Sequence, residues 1–423
     1  MTTPVLTRAE ANAEAVRRLC EASPVVVDVA PAIDVMPGYA RNLILTSGAP
    51  LPWPRYVGGQ REAIIGGALF EGLAATREEA IAALDRSDIT VGGCHDYGAV
   101  GSLAGIYTAS MPVFVVRDET HGNLAFCNFY EGKDPRRLNY GCYDAGVHER
   151  LLHVNTVYAP VIGEAVRRVG GVALKPLIAR GLRMGDECHS RNAASSLLFS
   201  REMFGAALDM VAAAGHAYGE RVRETFLHIA ENDYFFLRLS MAAAKATADS
   251  IAGLAGSSVV SAMAFSCREF GIRVSGLGDE WFRGPTPVHE GRLFAGHDES
   301  EITWMGGESP ITETVGLGGF AQACALSLQD YQGGSPDIMI SRNEEMYRIT
   351  AGENTDFKIP LFSFRGTPTG VDIFRVLSEN ILPVMDVGLA GRDGGQIGAG
   401  VIRAPRECFE RAAARWSDVY PES

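Results

Sequence analysis

The sequence predicts a mixed α/β protein of several domains, two α/β parts separated by a helical block. Three observations lead there. Short β-branched runs alternate with amphipathic stretches near the N-terminus, a long helix-forming texture begins near His148, and mixed character returns from about residue 258 with glycine-rich loops. At 423 residues the chain is too long for one simple core. The expected divisions are an N-terminal α/β domain over 1–147, a helical block over 148–256 and a C-terminal α/β domain over 257–423.

Residues 8–22 read as an amphipathic helix, and Pro24 to Ala30 as a buried strand. Pro50 to Gly59 reads as a loop leading into a helix over Ala63 to Ala74. Thr76 is placed to cap a further helix from Arg77 to Leu84. Ile89 to Gly93 is a strand, and Val113–Val116 and Leu124–Cys127 flank a turn as a hairpin would. In the middle block, His148–Arg168, Lys175–Arg201, 202–214, Tyr218–Ile229 and Asp233–Ala255 read as helices. The apolar stretch from Met241 to Phe265 contains Lys245 and Asp249, so it reads as packed core and not as a membrane span. That Lys–Asp pair, four residues apart, is expected on an exposed face. In the last third, a helix is expected from Ala321 to Leu328.

Hydrophobic residues make up 47% of the chain and charged residues 21%, the balance of a soluble globular protein. A net charge of -13 argues against nucleic acid or an anionic membrane as partner. An anionic substrate therefore needs a local cluster of Arg or Lys. Eight cysteines without a Cys-x-x-Cys pair speak against a zinc ribbon or redox dithiol. The start, Met-Thr-Thr-Pro, has no apolar signal core, and a cytoplasmic location is expected. Two-fold dimers being the commonest assembly, a homodimer is expected.

The densest run of functional side chains is Gly185-Asp186-Glu187-Cys188-His189-Ser190-Arg191-Asn192. Read as the start of a helix broken by Gly185, it puts Asp186 and His189 on one face and pairs Glu187 with Arg191. The same spacing also fits a capped helix carrying a surface ion pair. A second cluster, Cys94-His95-Asp96-Tyr97-Gly98, follows a strand directly, where open α/β sheets place ligands. His95 there is a candidate base or metal ligand and Asp96 its partner, although a His-Asp dipeptide in a turn is often only a satisfied loop pair.

Three glycine-rich loops carry Ser, Thr, Arg or Glu: 271–282 with Arg273 and Ser275, 306–320 with Thr312 and Glu313, and 364–372 with Arg365, Thr367 and Thr369. Glycines before a helix free backbone N–H groups for an anion, and hydroxyls with an Arg complete such a cradle. No Gly-Lys-Ser/Thr follows, so nucleotide binding is not expected. Serine-hydrolase and zincin motifs are absent.

Met184–Asn192, Val274–Asp279, Ile311–Thr314 with Gly318–Phe320, Phe364–Gly370 and Gly395–Gly400 together resemble the family catalogued as domain of unknown function 1116. The resemblance runs from about Pro24 to Glu410. Its best-assigned members are similar to one subunit of oxamate carbamoyltransferase, in which phosphate cleaves the C–N bond of oxalurate to give oxamate and carbamoyl phosphate. The resemblance implies nitrogen catabolism and an acyl-CoA-synthetase-like partner subunit. Where relatives carry a histidine run, this chain has His95-Asp96-Tyr97, and Ser102-Leu103 replace Pro-Met. That implies a retained scaffold with an altered substrate.

The expected activity is cleavage of an amide or ureide C–N bond in a small molecule. The route is either hydrolysis, including ring-opening of a cyclic amide or imide, or carbamoyl transfer to phosphate. Such chemistry needs a base, oxyanion donors and an acid for the leaving nitrogen. His189 or His95 is the candidate base, oriented by Asp96 or Asp186. Arg191 and Asn192 are candidate donors, and Glu187 or Glu313 the acid. Arg273, Ser275, Thr312, Arg365, Thr367 and Thr369 are candidate substrate contacts. No cofactor is expected. Other readings are a non-catalytic subunit of a carbamoyltransferase-like complex and a hydrolase holding a divalent metal on His95, Asp96, His189 and Glu187.

Overall fold

Antiparallel pairing organises the N-terminal third. In the computed structural model, which describes residues 6–213 and 215–421, the strand Pro112–Asp118 lies at the middle of a five-stranded sheet. Pro24–Pro31 pairs with it on one side and carries Val172–Ala173 on its own outer edge. On the other side Leu124–Asn128 returns antiparallel, with Val113 opposite Asn128 and Arg117 opposite Leu124, so the expected hairpin forms. Ala99–Val100 closes the sheet in parallel. Beside it, Leu43–Thr46 and Thr90–Gly93 pair in parallel, connected by the helices Gly58–Phe70 and Arg77–Asp85. Thr76 caps the second of these by accepting the Glu79 N–H, as its position predicts.

Among the described residues eight helical segments follow, from Ala145–His153 to Leu237–Asp249. The expected helix over 175–201 is two helices, Leu174–Arg183 and Ala193–Glu202, with the 185–192 run between them as a loop. The helix Leu237–Asp249 is buried at every position from 237 to 248. Its alanines follow from that burial, since small side chains let neighbours approach on all faces. Lys245 is buried with them and bonds Asp249 at 2.7 Å, which corrects the exposed pair expected from spacing.

The remaining strands form a three-stranded sheet (Val260–Phe265, Glu269–Val274, Phe282–Pro285), a four-stranded sheet (His289–Leu293, Ile302–Thr303, Val384–Gly391, Gln396–Arg403) and the pair Thr350–Ile359 with Arg365–Val371. The helix expected over 321–328 is replaced by short 3₁₀ turns. Asn343 takes the Ala323 N–H at 3.1 Å and donates to the Phe320 carbonyl at 2.9 Å, which removes backbone groups from any helical ladder there. Among the described residues no helix is long and apolar enough to cross a membrane.

The largest apolar core joins sheet and helices. Phe114 stacks on Phe129 with centroids 4.2 Å apart and meets Phe235 edge-on at 6.0 Å, so one buried ring couples the sheet to the segment leading into the buried helix. Phe114→Ala is expected to lower unfolding stability by about 3–5 kcal/mol, measured by denaturant titration.

Candidate active site

The loop 185–192 is shaped by its own acids. Glu187, fully buried, accepts the His189 N–H at 2.8 Å and the Arg191 N–H at 2.5 Å, which bends the chain back over itself and leaves Cys188 at φ +65°. Asp186 takes the Ser195 N–H at 2.7 Å, its hydroxyl at 2.8 Å and the Arg191 guanidinium at 2.7 Å. It thus serves N–H groups that have no intrahelical partner at the start of the Ala193–Glu202 helix. Asn192 donates to the His189 carbonyl at 2.8 Å. Four of the side chains singled out in the sequence therefore hold the loop, and the one they present is His189.

His189 bonds through Nδ1 to Glu313 Oε1 at 2.8 Å, across 124 residues of chain. That carboxylate oxygen also accepts the Gly319 N–H at 3.0 Å and the Asp386 N–H at 3.1 Å, while Thr312 donates to the other oxygen at 2.8 Å. The close packing explains the glycines. A Cβ on Gly318 would come 2.1 Å from Glu313 Oε1, and one on Gly319 would come 2.2 Å from the Val384 carbonyl oxygen. The acceptor at Nδ1 makes that nitrogen the protonated one, and Nε2 has no hydrogen-bond partner among the described residues. Burial opposes charge on the ring, but Glu313 and then Asp386 outweigh it, so the His189 pKa lies above the ordinary 6.5. Burial and the neighbouring Asp386 hold Glu187 well above the usual carboxylate range, and burial also raises Asp386.

His189 forms part of the wall of a cavity of about 400 Å³. Ser190, Ser309, Tyr130, Tyr140 and Tyr234 line it with three cations, Lys133, Arg137 and Arg238, against one acid, Asp233. None of the three cations is in an ion pair among the described residues. Arg238 is buried on the helix Leu237–Asp249, where it donates to the Asn128 side-chain oxygen at 3.1 Å and lies beside the Cys127 thiol. Arg137 lies over Tyr130 and Tyr140, 5.2 and 4.6 Å from the ring centroids. One buried and one half-buried guanidinium without a carboxylate partner, beside an open volume, are suited to an anionic group of a ligand.

The other residues named from sequence lie elsewhere. His95 is buried against Trp281, and Asp96 pairs with Arg273, away from the cavity wall. Ser275 is bonded to the Ile251 carbonyl. Arg365 is exposed, stacked on Tyr347 and paired with Glu353 at 2.6 Å. Thr367 and Thr369 are buried beneath Gly316. Burial raises the thiols of Cys94 and Cys188 well above their usual range, so neither is a ready nucleophile. Among the described residues no group of three or more His, Cys, Asp or Glu is placed to hold a metal ion. Sequence reasoning passed over Arg137, Arg238 and Asp386. A lone Arg in an Ala- and Leu-rich helix and a lone Asp in an apolar strand were the available signals.

A family model described as oxamate carbamoyltransferase subunit AllG matches residues 89–309. Oxamate carbamoyltransferase subunit AllG of Escherichia coli (strain K12) is 36% identical over 409 residues, 96% of each chain. The chain belongs to the AllG family. It is also 38% identical to the uncharacterized protein YahG of the same organism over 414 residues, 97% of this chain and 86% of that one. The crystal structure of a conserved protein of unknown function from Enterococcus faecalis V583 matches with a TM-score of 0.93 at 34% identity, covering 97% and 98% of the two chains. The mixed α/β fold is thus shared with that protein, and the segment 89–309 matched by the family model contains His189, Arg137 and Arg238.

Glu313→Gln is expected to lower the His189 pKa, read by NMR of the labelled imidazole. Because the folded pKa is raised, the contact contributes stability that is fully present below pH 6.5 and is lost as pH rises through the folded value. The stability difference between parent and variant is therefore expected to narrow toward alkaline pH.

Proposed function

We propose that this chain is an enzyme that cleaves the C–N bond of a small amide or ureide bearing a carboxylate. The observation that carries the reading is His189, held by Glu313 with Nε2 free, in the wall of a cavity that also contains the unpaired Arg137 and Arg238. The guanidinium groups hold the anionic end of the substrate and so place its carbonyl beside His189. In hydrolysis, Nε2 takes a proton from water as the oxygen attacks the carbonyl carbon, and the same proton goes to the leaving nitrogen as the C–N bond breaks. The products are a carboxylate and an amine or ammonia. In carbamoyl transfer, a phosphate oxygen attacks instead and His189, already protonated, gives its proton to the leaving nitrogen.

The two routes differ in the sign of their pH dependence. With the His189 pKa raised above 6.5, hydrolysis needs the neutral ring and kcat/KM rises with pH through that value. Transfer needs the charged ring, and kcat/KM falls over the same range. Turnover is to be assayed on cyclic imides, lactams, ureides and oxalurate, with and without phosphate. In either case His189→Ala is expected to lower kcat by about 10²–10⁴-fold. Arg238→Met is expected to act on KM, by roughly 10–100-fold, since it removes a charge-assisted contact. An unchanged kcat in the His189 variant would overturn the proposal.

A second reading has its own observation. The matching family model is described as a subunit, and Phe204, Leu208 and Val211 expose one apolar face of the helix Phe204–Ala213. On this reading the chain completes a site on a partner, the acyl-CoA-synthetase-like subunit implied by the family resemblance. Turnover by the purified chain alone would rule it out, whereas activity appearing only when partner proteins are added would favour it.

A further inference from the structure

Away from the cavity, four buried polar atoms in one small region have no hydrogen-bond partner among the described residues: both ring nitrogens of His95, Nε of Arg273 and Nε1 of Trp281. The three side chains touch. The His95 ring meets Trp281 edge-on with centroids 5.4 Å apart, and Arg273 Cζ lies 4.6 Å from the Trp281 ring centroid. They come from the turn Cys94–Tyr97, the strand Glu269–Val274 and the residue preceding the strand Phe282–Pro285. A neutral imidazole has one donor and one acceptor, so the four atoms amount to three donors and one acceptor. Each carries its full desolvation penalty unless a guest answers it.

Charge decides what kind of guest fits. The cations are inside and their carboxylate partners at the rim: Lys245 and Arg273 are 4% and 7% exposed, whereas Asp249, Asp96 and Asp279 are 25%, 38% and 92% exposed. Water screens the rim carboxylates more than the buried cations, which leaves the interior positive. His95 registers this field, since burial and then Lys245 and Arg273 hold its pKa well below the usual range. The nearby carboxyl of Glu308 does not cancel it. Burial raises that pKa to about 8, and its oxygens are occupied by the N–H groups of Gly101 at 2.7 Å and Gly48 at 3.2 Å.

We propose that His95, Arg273 and Trp281 form a binding site for one small oxyanion of the one-carbon class. A one-carbon oxyanion such as formate or bicarbonate can accept from Arg273 Nε, Trp281 Nε1 and one nitrogen of His95, whose two ring nitrogens point too far apart for one small guest to meet both. The test is titration of the full chain with sodium bicarbonate or formate at fixed pH, ionic strength being held with gluconate, which is too bulky to enter. Saturable changes in tryptophan fluorescence and thermal midpoint are expected with either anion. Arg273→Lys and Trp281→Phe, each removing one donor while keeping charge or ring, are expected to weaken binding roughly tenfold. Crystals of the unaltered protein soaked in bicarbonate are expected to show planar density on Arg273 Nε and Trp281 Nε1, a result that does not depend on any variant folding. A response no different from that to gluconate, retention of affinity in both variants, or density for water alone would overturn the proposal.

Discussion

The contact between His189 and Glu313 is the constraint on which the site depends. It is a buried hydrogen bond between an imidazole and a carboxylate 124 residues apart, and neither group is stable there without the other. Glu313 tolerates burial because two backbone N–H groups and the Thr312 hydroxyl also point at it. Those donors come from the turn at Gly318–Phe320 and the strand Val384–Gly391. The loop 185–192, the 311–320 segment and the four-stranded sheet are therefore fixed relative to one another by one carboxylate. The Gly318 N–H adds a direct link, bonding the Glu187 carbonyl at 2.8 Å.

Around that fixed point the protein keeps charge unsatisfied on the cavity side. Arg137 and Arg238 are stabilised by aromatic faces and an amide oxygen, which orient a guanidinium without neutralising it. The arrangement is unfavourable for the empty protein, and an anionic ligand relieves it. The region around His95 repeats the pattern on a smaller scale, with buried cations and orphaned donors, but its histidine pKa is lowered by burial where that of His189 is raised.

The fold class was legible because alternation of β-branched runs with amphipathic stretches survives in local sequence, as do the Thr76 cap and the Pro112–Asn128 hairpin. What failed locally failed for one reason. In the 185–192 loop and in the 321–328 segment, side chains of Glu187 and Asn343 take backbone groups that a helix would have used, and propensity does not register such competition. The octet stood out for its density of chemistry, and it does carry His189. Glu313 was also named, as an acid, yet its role as partner of His189 rests on a contact that no spacing rule reveals. Lys245 and Arg238 lie on the same helix, and spacing alone put the Lys245–Asp249 pair on an exposed face because local sequence does not show that tertiary packing buries every side from 237 to 248.

The most direct measurement of the central claim is a crystal structure of the chain with a small carboxylated amide such as oxamate. Its carboxylate is expected on Arg137 and Arg238 and its amide within hydrogen-bond distance of His189 Nε2. A ligand bound away from those guanidinium groups, with Nε2 left unengaged, would contradict that claim.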